Sequence, residues 1–250
     1  MFEYDVVGRG DPVVMVHARP FASWYGPLVG HLSDWSVLRY RRTVRTADGD
    51  FGIGDDAEAV AGLLRHAGMS RPHVVGHSYG ALVALALATR DESTIGSLAL
   101  IEPASLGFLP PGDAEAAVAP LIASYRGEGP EAAMDRFLTL VCGDDYRTVL
   151  ERAVPGAFDD AVATAVQFFE VEVPAVVRWT CDSAAVEALS RPVLNVLGSE
   201  SAARFAQGAD LISRWLPHAV RATVPQANHL LIADRPHAVA EHLDRFWRQD

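Results

Sequence analysis

Short apolar runs alternate with longer amphipathic stretches along this chain. Phe2 to Val7 reads as a first strand, closed by Gly8-Arg9-Gly10-Asp11-Pro12. Pro12 to His17 (PVVMVH) is an unbroken apolar run, the mark of a strand buried on both faces. Ser36 to Tyr40 predicts another short strand. Asp55 to Ala67 has helical spacing, with Ala57, Val60, Ala61, Leu64 and Ala67 on one stripe and Asp55 or Asp56 placed to cap its start. His73 to Gly76 is a brief apolar strand that runs into Gly76-His77-Ser78-Tyr79-Gly80. Ala81 to Thr89 follows, all small or apolar, and reads as a buried helix. Ser97 to Ile101, Pro192 to Leu197 and Ala219 to Val224 read as later strands, the last two each followed by a helical run. Strand–helix alternation at this rhythm predicts an α/β protein, a mostly parallel sheet covered by helices on both faces.

One stretch breaks the rhythm. From residue 105 to 190 the chain carries Pro110-Pro111-Gly112 and then helical segments rich in Ala, Val, Leu and Phe, with no clear strand. The expected organisation is a core of residues 1–104 and 191–250, with 105–190 inserted as a helical lid in one compact unit. The insertion is rich in aromatics, among them Tyr125, Phe137, Tyr146, Phe168, Phe169 and Trp179. Such residues either shape a pocket or pack the insertion onto the sheet.

Composition narrows the function classes. The net charge is −11, and all 21 basic residues are arginine. An acidic body repels phosphate backbones and anionic lipid, so neither nucleic acid nor a membrane surface is an expected partner. No run of about 18 apolar residues spans a membrane, and the amino terminus lacks a basic start and an apolar run, so the expectation is a cytoplasmic chain. Cys142 and Cys181 fit neither a zinc pattern nor a disulfide framework and read as small buried residues. No His/Cys/carboxylate cluster has metal spacing, and no Gly-rich phosphate or dinucleotide loop is present. The expectation is an enzyme without cofactor or metal; its oligomeric state is left open.

Gly76-His77-Ser78-Tyr79-Gly80 matches G-x-S-x-G, in which the serine stands on a strained turn between strand and helix. Glycines are needed there because strand and helix come too close for a Cβ. A bare pentapeptide is a weak signal, and a helix N-cap would also use a serine. Its place between a buried strand and a buried helix gives it force. On these residues, and on 12–20, 73–103 and 192–242 most specifically, the chain resembles the α/β-hydrolase superfamily, in the branch with a helical cap inserted after the sixth strand. That resemblance implies an α/β-hydrolase fold with Ser78 as nucleophile. It implies His229, in the loop after the last strand, as base, rather than His218 or His237. The oxyanion hole would use the backbone N–H groups of Tyr79 and of Ala18, or of Arg19 if the loop is shifted by one. His17 would hold that loop, and the family usually has Gly where Ala18 stands.

The acid departs from the family's pattern. Gly198-Ser199-Glu200-Ser201-Ala202-Ala203-Arg204 contains no Asp where the family commonly has one. Glu102, at the end of the Ser97–Ile101 strand, is preferred because some branches place their acid there. Glu200, or no carboxylate at all, stays open. A histidine base needs a carboxylate to fix its tautomer and steady its charged form. Phe21, Trp24, Phe168 and Trp179 are expected to line an apolar pocket, and Arg19 or Arg178 could meet a substrate carboxylate. The expected function is serine-dependent hydrolysis of a small carbonyl substrate (ester, thioester or lactone) through an acyl-enzyme. The alternatives are a cofactor-free lyase, isomerase or cyclase on the same scaffold, and a non-catalytic binding module.

Overall fold

The computed structural model describes residues 2–42 and 51–249. Seven strands form one sheet: β1 (Glu3–Val7), β2 (Pro12–Val16), β3 (Ser36–Arg41), β4 (His73–His77), β5 (Leu98–Ile101), β6 (Val193–Gly198) and β7 (Val220–Val224). Their order is β1-β3-β2-β4-β5-β6-β7. Only β1 runs antiparallel, against β3; all other pairs are parallel. The central strands β5 and β6 are buried at every residue. Side chains of a strand alternate between faces, so burial at every position means that both faces are covered. This is the α/β-hydrolase architecture expected from the sequence.

Helices α1 (Ile53–His66) and α2 (Tyr79–Arg90) follow β3 and β4. The amphipathic helix over 55–67 begins two residues earlier than its spacing suggests. Gly52, not Asp55 or Asp56, is its N-cap, and Asp55 accepts from the Gly52 N–H at 2.8 Å. Asp56 turns inward instead, to a buried cluster described below. Helix α2 is apolar on nearly every side because sheet, α1 and neighbouring chain enclose it.

Between β5 and β6 the described chain contains helices and turns but no strand. Its longest elements are α3 (Pro111–Glu128) and α4 (Pro130–Cys142), followed by shorter turns of helix that include a π-helical segment, Phe168–Glu172. After β6 comes α5 (Ala203–Trp215), and the chain closes on α6 (Pro236–Trp247). Of the two cysteines, both free thiols, Cys142 is buried as expected, whereas Cys181 is half-buried. No described helix is long and apolar enough to cross a membrane.

Candidate active site

Ser78 sits between β4 and α2 with φ +55° and ψ −118°, a left-handed conformation that a residue with a side chain rarely adopts. Backbone bonds fix the turn: Ser78 N–H donates to the Ile101 carbonyl at 3.0 Å, and Ala104 N–H donates to the Ser78 carbonyl at 3.1 Å. The two glycines are sterically required. A Cβ on Gly76 would lie 2.4 Å from the Gly80 carbonyl oxygen, and one on Gly80 would lie 1.9 Å from the Val16 carbonyl oxygen.

The loop after β7 carries His229, which is buried. It is zipped to the loop after β6 by Ser199 N–H to the Val224 carbonyl and Glu200 N–H to the Ala227 carbonyl, at 2.9 and 2.8 Å. Phe205, in the first turn of α5, stacks on the His229 ring with centroids 4.1 Å apart and planes 14° from parallel. Glu102, fully buried just past β5, places Oε2 2.6 Å from His229 Nδ1. Its Oε1 accepts from Gly198 N–H at 2.7 Å and from the Ser201 hydroxyl. Glu200 is solvent-exposed instead. Of the two carboxylates open from the sequence, the structure therefore sets Glu102 against the histidine.

His77 adds a third buried polar group. Its ring centroid lies 4.5 Å from that of His229, and burial with the neighbouring His229 holds its pKa well below the usual histidine value. His77, Glu102 and His229 form a compact trio whose ligand-type atoms lie within 4.8 Å of one another. Sequence spacing could not show this convergence, because each comes from a different strand end. Glu102 and His229 already satisfy each other in it.

A second buried cluster flanks the loop after β2. His17 packs its ring nitrogens against the carbonyls of Ala18, at 2.8 Å, and Tyr40, at 3.0 Å. Burial, and then the Arg42 charge, lower its pKa to about 4, so the ring is neutral near pH 7 and donates to one of the two. His17 thus holds the loop, as expected. Arg42 is ion-paired with both Asp56 and Glu172, all three nearly sealed from solvent. Tyr79 donates its hydroxyl to Asp56 at 2.6 Å. Glu172, from the π-helical segment, accepts the Arg19 N–H at 2.9 and 3.2 Å. Arg19 N–H is therefore occupied, while the N–H groups of Ala18 and Tyr79 meet no acceptor among the described residues.

One cavity joins these parts. Ser78, Tyr79, His229 and Phe205 line it together with Ala104, Leu106, Val118, Leu121, Phe137, Phe168, Glu172, Val176 and Arg204. Of the four aromatics expected in its wall, only Phe168 is there. Trp24 is buried beneath Phe21 at 4.6 Å between centroids, and Phe21 lies behind Phe137 and Phe168, stacked on the first and edge-on to the second. Trp179 packs on Phe108 and against Gly107. Arg19 and Arg178 do not line it either; their guanidinium groups donate to the Arg42 and Phe51 carbonyls. The residues missed by sequence reasoning are Glu172, Arg42, Phe205 and Arg204.

The sequence pattern of the Alpha/beta hydrolase family matches residues 13–242, and the chain belongs to that family. It is 28% identical over 118 residues to a 2-hydroxy-6-oxo-6-phenylhexa-2,4-dienoate hydrolase of Comamonas testosteroni, a match spanning 43% of this chain and only 41% of that protein. It is 24% identical over 252 aligned positions to a 2-hydroxymuconate semialdehyde hydrolase of Pseudomonas putida, covering 96% of this chain and 86% of the relative. Among solved structures, a thermophilic esterase from Thermogutta terrifontis superposes with a TM-score of 0.85 at 19% identity, covering 99% of this chain and 93% of that one. An enol-lactonase from Burkholderia xenovorans gives 0.81 at 20% identity, with 99% and 96% covered. At such identities the structural likeness speaks for the fold.

Proposed function

We propose that this protein is a serine hydrolase that cleaves a small carbonyl substrate through an acyl-enzyme, with Ser78 as nucleophile, His229 as base and Glu102 as the acid behind it. The observation that carries this reading is the 2.6 Å contact of Glu102 with His229 Nδ1, made where His229 and the strained Ser78 share one cavity wall. A proton held between Nδ1 and Glu102 leaves Nε2 as the acceptor, the tautomer a base needs. Ser78 Oγ attacks the carbonyl carbon while Nε2 takes its proton. The N–H groups of Ala18 and Tyr79 receive the oxyanion, since Arg19 N–H is engaged by Glu172. His229 returns the proton to the leaving group, and water releases the acyl group by the same steps. Helices 105–190 act as a cap, and the apolar wall they contribute suits a medium-sized organic substrate. The two relatives above are hydrolases of an oxo-dienoate and of a semialdehyde, which supports counting ketone-type carbonyls beside esters and lactones as candidate substrates.

Treatment with a fluorophosphonate, read by intact mass and peptide mapping, tests the reading. The expected result is stoichiometric labelling at Ser78 that is lost in Ser78→Ala and His229→Ala. Folded protein that takes no label has no activated, reachable serine, and the hydrolase reading then falls.

A further inference from the structure

Apart from its serines, the cavity wall is apolar except for Tyr79, Glu172, His229 and Arg204. Three of these four have their polar partners. Tyr79 donates to Asp56, Glu172 is neutralised by Arg42, and His229 faces Glu102. Arg204 is different. One Nη2 donates to the Leu140 carbonyl near the end of α4, while its Nε is sealed from solvent and has no acceptor. No Asp or Glu lies within ion-pair distance of it among the described residues.

A guanidinium offers five N–H donors, and taking it partly out of water without an anion costs free energy. The chain does not lack anions, with 32 Asp and Glu residues, yet none is set opposite this one. Burial pushes the Arg204 pKa down, opposed only by the Cys142 thiol. The setting is cationic in a second way. Arg204 lies in the first turn of α5, whose N-cap is Ala202, with no side-chain cap and no acidic residue in that turn. The positive end of a helix normally draws one or the other. The bland role, tying α5 to α4 through Leu140, needs a single N–H and explains neither the orphaned Nε nor the place in the cavity wall.

We propose that Arg204 is the anion-binding end of the cavity and that the substrate is a carbonyl compound carrying a carboxylate, which Arg204 receives while the carbonyl lies at Ser78. The substrate half of this statement rests on the hydrolase reading; the binding half does not. With a net charge of −11 the protein does not draw anions from a distance, so the preference arises at short range, as a tighter fit and a lower KM.

A matched pair isolates the charge: p-nitrophenyl hydrogen glutarate, with a free carboxylate, and its methyl ester. The expected wild-type kcat/KM favours the anion by about tenfold or more, the scale of a charge-assisted hydrogen bond. In Arg204→Gln, which keeps an N–H for the Leu140 carbonyl but removes the charge, that ratio collapses through KM. In Arg204→Lys it returns in part. A wild-type ratio at or below one, or a ratio unchanged in Arg204→Gln, overturns the proposal. Calorimetry on Ser78→Ala supplies a readout without turnover: 4-phenylbutyrate is expected to bind about tenfold tighter than 4-phenylbutyramide, and to lose that advantage when Arg204→Gln is added. Selective binding of 4-phenylbutyrate without turnover of either ester leaves the anion site standing and removes the hydrolase reading. Fluorophosphonate labelling and ester turnover without charge preference do the reverse.

Discussion

Glu102 and Glu172 are both sealed from solvent at this site, the first held by three polar groups and the second by two. Around Glu102 the partners are a histidine ring, a backbone N–H and a hydroxyl. Around Glu172 they are the Arg42 guanidinium and one backbone N–H met by both carboxylate oxygens. Neither setting is cheap, since a buried carboxylate needs every oxygen satisfied. They differ in what can move. An arginine keeps its proton at any ordinary pH, so the Glu172 end is a fixed charge pair that fastens the helical insertion to the loop after β2. A histidine ring held at Nδ1 still has Nε2 with which to take up and return a proton, so on the proposed reading the Glu102 end can follow a reaction. On the proposed reading, two carboxylates of similar burial divide into a working one and a holding one, and the partner decides which is which.

The largest expected effect separates the two by activity. Glu102→Gln is expected to lower kcat toward a p-nitrophenyl ester by about 10³–10⁴-fold, the scale seen when a triad carboxylate becomes an amide. The amide still accepts from Gly198 N–H, so the fold and Tm should hold. Steady-state rates with a circular-dichroism melt check both. An unchanged rate would make Glu102 merely the end of β5.

Stability separates them in the other direction. Glu172→Leu removes one of the two carboxylates paired with Arg42, leaving Asp56, and takes away the carboxylate that accepts from the Arg19 N–H. Breaking a buried pair by removing one partner typically costs about 3–5 kcal/mol, and Asp56 should keep the loss near the lower end, roughly 3 kcal/mol in urea unfolding. Glu172→Gln keeps an acceptor and should lose about 1 kcal/mol. Were Glu172→Leu as stable as the wild type, the holding role would be refuted.

How much of this was legible in the sequence follows from the range of the interactions. Parallel strands announce themselves locally, as PVVMVH and PVLNVL do, because a strand covered on both faces has no polar side. Gly76 and Gly80 were legible because the close approach of β4, α2 and β2 leaves no room for a Cβ. Glu102 was reachable because a strand end is itself a local feature. Arg42 and Glu172 are separated by 130 positions, and nothing in either neighbourhood points to the other. The aromatics show the same limit. Phe168 faces the cavity while Phe21 packs behind it, and only the placement of the helices decides between them. Arg204 reads as an ordinary surface residue until α4 closes over it.

The last expected effect, a change of slope with pH, uses the histidine of the holding end. His17 is buried beside Arg42, and burial, then that charge, lower its pKa from 6.5 to about 4. Between those values the unfolded chain binds a proton at this residue and the native state does not. Stability is therefore expected to be full above about pH 6.5, to fall as the pH drops toward 4, and to have lost this contribution below it. A depression of this size amounts to about 3 kcal/mol at most. His77 at the Glu102 end is shifted in the same direction, so the wild-type slope carries both residues. His17→Gln retains a donor and an acceptor but cannot titrate. Urea unfolding at a series of pH values should then show a visibly shallower decline in His17→Gln than in the wild type. An equal slope would mean that the ring is already charged in the native protein. In that state it would donate to the Ala18 and Tyr40 carbonyls together, and the loop after β2 would be held by a second cation beside Arg42.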